Sequence, residues 1–269
     1  MTNSTIRRLL ATAALLPIPV LFAVANDTAT AAPTVPGGGF MACTGGFSNC
    51  GTIGLPWADG SNNPVGHLTV AHLAESEGQV VRSVAFNGVP ETQMTVTKAT
   101  HSADIGLVSL VSPDVAPTIT LSDKTVLSVT GYAKEGDIKT GQAVCHSGWN
   151  SQTSKVHEIC GTVSEVGPTD NCRAVGTGSS SCAVLFTASG SVGGPGDSGA
   201  AAYTYKADGT VTVIGLFKGI TGSRGIIEPT YAATQLFGGK PLTGTATNPP
   251  TTTTTPQPTT PRPSTGSAG

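Results

Sequence analysis

The chain has 269 residues, of which 38% are hydrophobic and 11% charged, with a formal net charge of −2. So weak and balanced a charge excludes a nucleic-acid-binding surface, and no acidic block marks an interaction tail. Six cysteines, an even number, point to disulfides and an oxidising compartment.

Arg7 and Arg8 precede an apolar stretch, Leu9 to Ala25, broken only by Thr12, Pro17 and Pro19. Small-residue cleavage sites follow at Ala23-Val24-Ala25 and Ala29-Thr30-Ala31. This is the pattern of a secretory signal peptide, here assigned to residues 1–31. The stretch is short for a membrane span and the prolines weaken it further, so no span is expected once the signal is removed. The arginine pair also suits twin-arginine export. The expected location is secreted or associated with the cell envelope.

Next in chain order come short apolar runs cut by Gly, Ser, Asn, Asp and Pro. Strands are predicted over Val80–Phe86, Met94–Val96, Ile105–Leu110, Ser128–Tyr132, Ala183–Phe186 and Val211–Phe217. Asn87-Gly88 and Asp208-Gly209 read as hairpin tips. Ser112 to Asp123, with Pro113 and Pro117, reads as a link between two halves. A single helix is predicted from Pro229 to Phe237, ended by Gly238-Gly239. Residues 241–269 are Thr/Pro-rich, bury nothing and are expected to be disordered. The folded region, 32–240, is therefore nearly all β.

Cys43, Cys50, Cys145, Cys160, Cys172 and Cys182 form three local pairs if short loops are favoured: 43–50, 145–160 and 172–182. Sequence alone allows 15 pairings. A zinc site is disfavoured, because no C-x2-C pair exists and His146 and His157 have no finger-like spacing. No metal or organic cofactor is expected.

The chemistry concentrates in Gly194-Pro195-Gly196-Asp197-Ser198-Gly199-Ala200. A turn so rich in glycine leaves the Ser198 hydroxyl uncrowded and lets backbone N–H groups converge on one point, as an oxyanion requires. A serine also needs a base, and the base a carboxylate to fix its tautomer. His72 follows the apolar Leu68-Thr69-Val70-Ala71, which would end a strand and present the imidazole at a rim. Asp104 stands at the mouth of the apolar Ile105–Leu110, a costly place for an unpaired acid. Alone, His72 reads as a satisfied core histidine and Asp104 as a turn residue. The order His, Asp, Ser is that of the chymotrypsin template.

These segments resemble the chymotrypsin-like serine proteases secreted by actinobacteria, the streptogrisin and α-lytic protease group. Leu68-Thr69-Val70-Ala71-His72 resembles the family's histidine box, Ala103-Asp104-Ile105-Gly106-Leu107-Val108 its aspartate box and Gly194–Gly199 its serine box. Val144-Cys145-His146-Ser147-Gly148 resembles the segment before a local disulfide, and Val213-Ile214-Gly215-Leu216 the strand leading to the substrate-pairing edge. The resemblance spans about residues 40–240. It implies two perpendicular six-stranded antiparallel β-barrels, about 40–120 and 124–240, with a C-terminal helix and the site in the cleft between them. It implies Ser198 as nucleophile, His72 as base and then acid, and Asp104 as orienter. The Gly196 and Ser198 N–H groups would form the oxyanion hole. Val192, Pro195, Phe217, Lys218 and Gly219 would bind substrate. The expected activity is that of a monomeric secreted serine endopeptidase on protein or peptide substrates, subject to a proteinaceous inhibitor.

The departures are specific. Leu73 replaces a cysteine that commonly follows the histidine, and Ala200 the last glycine of the serine box. Lys218 stands where a serine normally touches the buried aspartate. No arginine is at hand to hold Asp197, for which Lys139 is the candidate. No acid lies in the segments that build the primary pocket, so Lys and Arg are disfavoured at the cleaved bond. The nearest acid, Glu228, reads as a cap of the terminal helix. Two alternatives follow: a pseudoprotease used as an envelope-associated binding module, marked by Lys218, or an esterase on the same fold.

Overall fold

Apolar side chains that recur every second residue make strands, since only then does one face reach a core. In the computed structural model, which describes residues 38–45, 49–84, 91–112, 114–121, 125–167 and 183–245, this pattern yields sixteen strands and one helix. The first seven are β1 (Phe40–Thr44), β2 (Asn49–Ile53), β3 (Leu55–Ala58), β4 (Pro64–Thr69), β5 (Val80–Ser83), β6 (Gln93–Thr100) and β7 (Ile105–Val108). Eight more follow: β8 (Thr118–Thr120), β9 (Val126–Tyr132), β10 (Ala143–Asn150), β11 (Lys155–Val166), β12 (Val184–Thr187), β13 (Ala201–Tyr205), β14 (Val211–Thr221) and β15 (Arg224–Pro229). The chain then forms α1 (Thr230–Phe237) and β16 (Lys240–Pro241).

Two sheets result. The first runs β16-β3-β4-β7-β6-β5-β1-β2, and the second β13-β10-β11-β12-β15-β14-β9-β8. An extra ladder between β13 and β14 closes six strands of the second sheet into a barrel. The first sheet is a half-barrel: among the described residues no ladder joins β2 to β3. Two closed barrels were expected from the resemblance, and the reason for the open side is local. The outer edge of β2 is engaged elsewhere, with the Thr52 N–H donating to the Ser198 carbonyl at 2.8 Å. Pairing is antiparallel except between β9 and β14, which run parallel at Val129↔Val211.

Asp208-Gly209 is a hairpin tip, with Gly209 at φ +80° and the Lys206 N–H bonded to the Thr210 carbonyl at 2.8 Å. The Asn87-Gly88 tip lies outside the described residues. The 112–123 link contains β8, paired with β9, and is not plain linker. The helix begins one residue later than its sequence signal, with Pro229 as N-cap and no side-chain cap. Glu228 therefore does not cap it. Past residue 240, Leu242 is buried and its N–H donates to the Pro56 carbonyl at 2.9 Å.

Cys43–Cys50 and Cys145–Cys160 are disulfides, each between residues that face one another across a ladder. Cys172 and Cys182 lie outside the described residues. The largest apolar cluster draws on both sheets, with Leu55, Leu68 and Ile105 from the first and Phe186, Tyr203 and Phe217 from the second. A smaller one fills the half-barrel around Phe40, Ile53, Met94 and Val108.

Candidate active site

Three loops carry the residues singled out by the sequence. His72 sits in the turn after β4, where the Leu73 and Ala74 N–H groups both bond the Val70 carbonyl, at 3.2 and 3.1 Å. Asp104 ends the turn between β6 and β7 in a left-handed conformation, φ +54°, one that Asp tolerates better than most residues. There both carboxylate oxygens reach His72. The His72 backbone N–H donates to Oδ1 at 2.8 Å, and Nδ1–H donates to Oδ2 at 2.8 Å. A carboxylate only accepts, so Nδ1 carries a proton, and in the neutral ring Nε2 is the acceptor. The His72 side chain is 46% exposed, that of Asp104 12%.

Ser198 lies in the loop between β12 and β13. Gly196 has φ +98°, and a Cβ there would stand 2.3 Å from the Trp149 carbonyl oxygen, so the position admits only glycine. Asp197 is fully buried. Its partner is His157, whose Nε2–H donates to Oδ1 at 2.6 Å, while the Gly194 N–H donates to Oδ2 at 2.7 Å. Lys139 is not that partner. The loop is tied further by Asp197 N–H to the Gly194 carbonyl at 3.2 Å and Gly199 N–H to the Phe217 carbonyl at 2.8 Å. Between these anchors, the N–H groups of Gly196 and Ser198 have no acceptor among the described residues. A loop held from both sides with two free donors between can accept a developing negative charge without reorganising.

Strand β2 meets both loops. Asn49 Nδ2 donates to the His72 carbonyl at 2.9 Å, and Thr52 N–H donates to the Ser198 carbonyl. Gly51 lies between them: a Cβ there would meet the Ser198 carbonyl oxygen at 2.8 Å and the Leu73 side chain at 3.1 Å. Leu73, in place of the commoner cysteine, fills this contact with hydrocarbon.

The residues expected to bind substrate separate by burial. Val192, Phe217 and Lys218 are buried, while Pro195 is exposed and Gly219 half-buried. Phe217 stacks on His146 at 4.3 Å between centroids, and His146 Nε2–H donates to the Val192 carbonyl at 3.0 Å. Burial lowers the pKa of His146. Gly193 lies so close to Phe217 that a Cβ would stand 2.4 Å from Cζ. Lys218 Nζ faces Glu228 Oε2 at 3.6 Å and the Ala103 carbonyl at 3.5 Å, and makes no ion pair with Asp104. Sequence reasoning missed the roles of Thr52, His146 and His157 here. Only an acid lacking a nearby base, Asp197, signalled that some distant partner was needed.

The sequence matches no protein-family model and no curated protein. Solved structures do match. Protease A of Thermobifida fusca is 25% identical with a TM-score of 0.57, over 78% of this chain and 100% of that one. A serine protease described as glutamic acid specific, with a histidine triad in substrate binding, is 22% identical with a TM-score of 0.52, over 77% of this chain and 100% of that one. The fold of this chain is that of the chymotrypsin-like serine proteases, to whose solved structures it is similar.

Proposed function

We propose that this protein is a secreted serine endopeptidase that hydrolyses peptide bonds through an acyl-enzyme on Ser198. The observation that carries the reading is the double grip of Asp104 on His72, which fixes the ring through its backbone N–H and Nδ1 and leaves Nε2 the nitrogen not engaged by the carboxylate. Ser198 Oγ attacks the peptide carbonyl carbon and gives its proton to His72 Nε2. The carbonyl oxygen becomes an oxyanion facing the Gly196 and Ser198 N–H groups. Collapse breaks the C–N bond, with the leaving amine taking the proton from Nε2. Water then attacks the acyl carbon, losing a proton to the same nitrogen; collapse breaks the C–Oγ bond, and Nε2 returns the proton to Ser198 Oγ as the acid leaves.

The primary pocket lies between Val192–Gly194 and Phe217–Gly219. Phe217 packs against Gly193 with no room for a Cβ between them, and a floor of this kind accepts a small or apolar side chain. The substrate class is protein or peptide. Among the described residues no helix is long and apolar enough to cross a membrane. The pseudoprotease alternative rested on Lys218, and its ammonium is engaged by Glu228 and the Ala103 carbonyl.

Two reagents test the reading. A fluorophosphonate should label the mature wild-type protein and leave Ser198→Ala unlabelled. Peptide turnover should fall on the order of 10⁴- to 10⁶-fold in that variant. Near-normal hydrolysis by Ser198→Ala would remove Ser198 from the mechanism.

A further inference from the structure

Thr52 is fully buried on β2, far in sequence from the serine loop, and every one of its polar groups is bonded. Its Oγ1 donates to the Gly196 carbonyl at 2.8 Å and accepts from the Trp149 N–H at 2.8 Å. Its own N–H donates to the Ser198 carbonyl at 2.8 Å, and its carbonyl accepts from Thr69 Oγ1 at 2.8 Å. Thr69 is three residues before His72 and belongs to the strand that presents it.

The arrangement bears on the loop in a particular way. Gly196 has no Cβ to restrict it, so the direction of its carbonyl is set by what that carbonyl bonds. A peptide unit is planar, so the Gly196 carbonyl lies in one plane with the Asp197 N–H and the Ser198 carbonyl in one plane with the Gly199 N–H. The Gly196 N–H lies in the plane of the Pro195 carbonyl, which the Ser151 N–H holds at 2.9 Å, and fixing the neighbouring 196 plane fixes the torsions at Gly196 that relate the two. Thr52 holds both carbonyls, one with its hydroxyl and one with its amide. The two N–H groups with no acceptor, those of Gly196 and Ser198, are next to the held carbonyls. The hydroxyl both donates and accepts, which a valine of the same shape cannot do.

We infer that Thr52 is a positioning residue for the oxyanion site, its hydroxyl fixing the Gly196 carbonyl so that the Gly196 and Ser198 N–H groups face one point before substrate binds. The inference rests on the reading of Ser198 as nucleophile. It goes beyond that reading by assigning part of the preorganisation to a side chain of the half-barrel. Such a residue acts on the transition state, where the oxyanion forms, and little on ground-state binding.

The test uses the full-length secreted protein and its Thr52→Ser and Thr52→Val variants, with folding checked by melting temperature. Three quantities are measured: kcat and KM on a peptide ester, inhibition by a peptide aldehyde, which forms a tetrahedral oxyanion adduct, and inhibition by the peptide acid, which does not. Thr52→Ser, which keeps the hydroxyl, should remain within about threefold of wild type in all three. Thr52→Val should lose on the order of 10²-fold in kcat and in aldehyde affinity, with KM and acid affinity within about threefold. If Thr52→Val does not fold, Thr52→Ala makes the same comparison against Thr52→Ser, since it removes the hydroxyl without adding bulk. A hydroxyl-free variant with wild-type kcat and aldehyde affinity overturns the inference, as does equal loss in the serine and valine variants. Wild-type protein inert to a fluorophosphonate overturns the Ser198 reading itself, and labelled wild type with an unimpaired Thr52→Val overturns only the role of Thr52.

Discussion

His67 on β4 is a residue whose burial sets a measurable property. It is wholly buried beside Phe40, with ring centroids 5.6 Å apart, and neither ring nitrogen has a partner among the described residues. Burial without a partner disfavours the charged ring and holds its pKa down at about 3, against an ordinary 6.5. Between those values the unfolded chain binds a proton that the folded one refuses. Stability therefore falls as the pH drops from about 6.5, by up to ~1.4 kcal/mol per pH unit for one such group. His146 is lowered by the same cause and acts in the same direction. His67→Leu should reduce the acid-side slope of unfolding free energy against pH by about one proton. A slope unchanged from wild type would show that the ring is already charged or solvated in the fold.

At the level of elements, β14 links the core to the proposed substrate pocket. It is buried continuously from Val213 to Lys218 and reaches the surface only at Ile220. Phe217 sits at that transition, stacked on His146 and edge-on to Phe186 at 6.3 Å. Truncating it to Phe217→Ala should deepen the pocket. Profiling with a peptide library should show larger apolar side chains gaining on the order of tenfold over alanine at the cleaved position. An unchanged profile would place the pocket elsewhere. The strands β10 and β11 act similarly for the serine loop. Their ladder sets Gly148 opposite His157, and Asp197 Oδ1 would meet a Cβ on Gly148 at 2.5 Å, so a glycine on one strand makes room for the acid that the other strand binds.

For the molecule as a whole, the chain end returns to its beginning. Lys240 and Pro241 pair with Ala58 and Trp57, Trp57 Nε1–H donates to the Gly238 carbonyl at 2.9 Å, and Asn62 Nδ2 donates to the Thr243 carbonyl at 2.9 Å. The second half thereby adds an edge strand to the first half's sheet. Truncation after Thr245 should leave the melting temperature unchanged. Truncation after Gly239 should cost about 3 kcal/mol, from one buried leucine and the lost hydrogen bonds. Equal stability of the two truncations would show that β16 contributes nothing to holding the halves together.

The sequence by itself determined what is local. The serine loop, the His72 lead and the Asp104 turn are each legible because a glycine run, an apolar strand end or an acid at a strand mouth is written within a few residues. The Asp208-Gly209 hairpin and the terminal helix were legible for the same reason, and so was the pairing of Cys145 with Cys160 across a short hairpin. Only the tertiary structure decided which residues meet across strands. Alternation states which face of a strand is buried but not which neighbour lies beside it or in what register. Thr52 and Gly196, His157 and Asp197, and Phe217 and His146 are joined that way, and no spacing in the chain announces them. Lys218 shows the same limit: its burial follows from its place in β14, but its partner Glu228 was set by the β14–β15 ladder, with its bulge between Phe217 and Gly219.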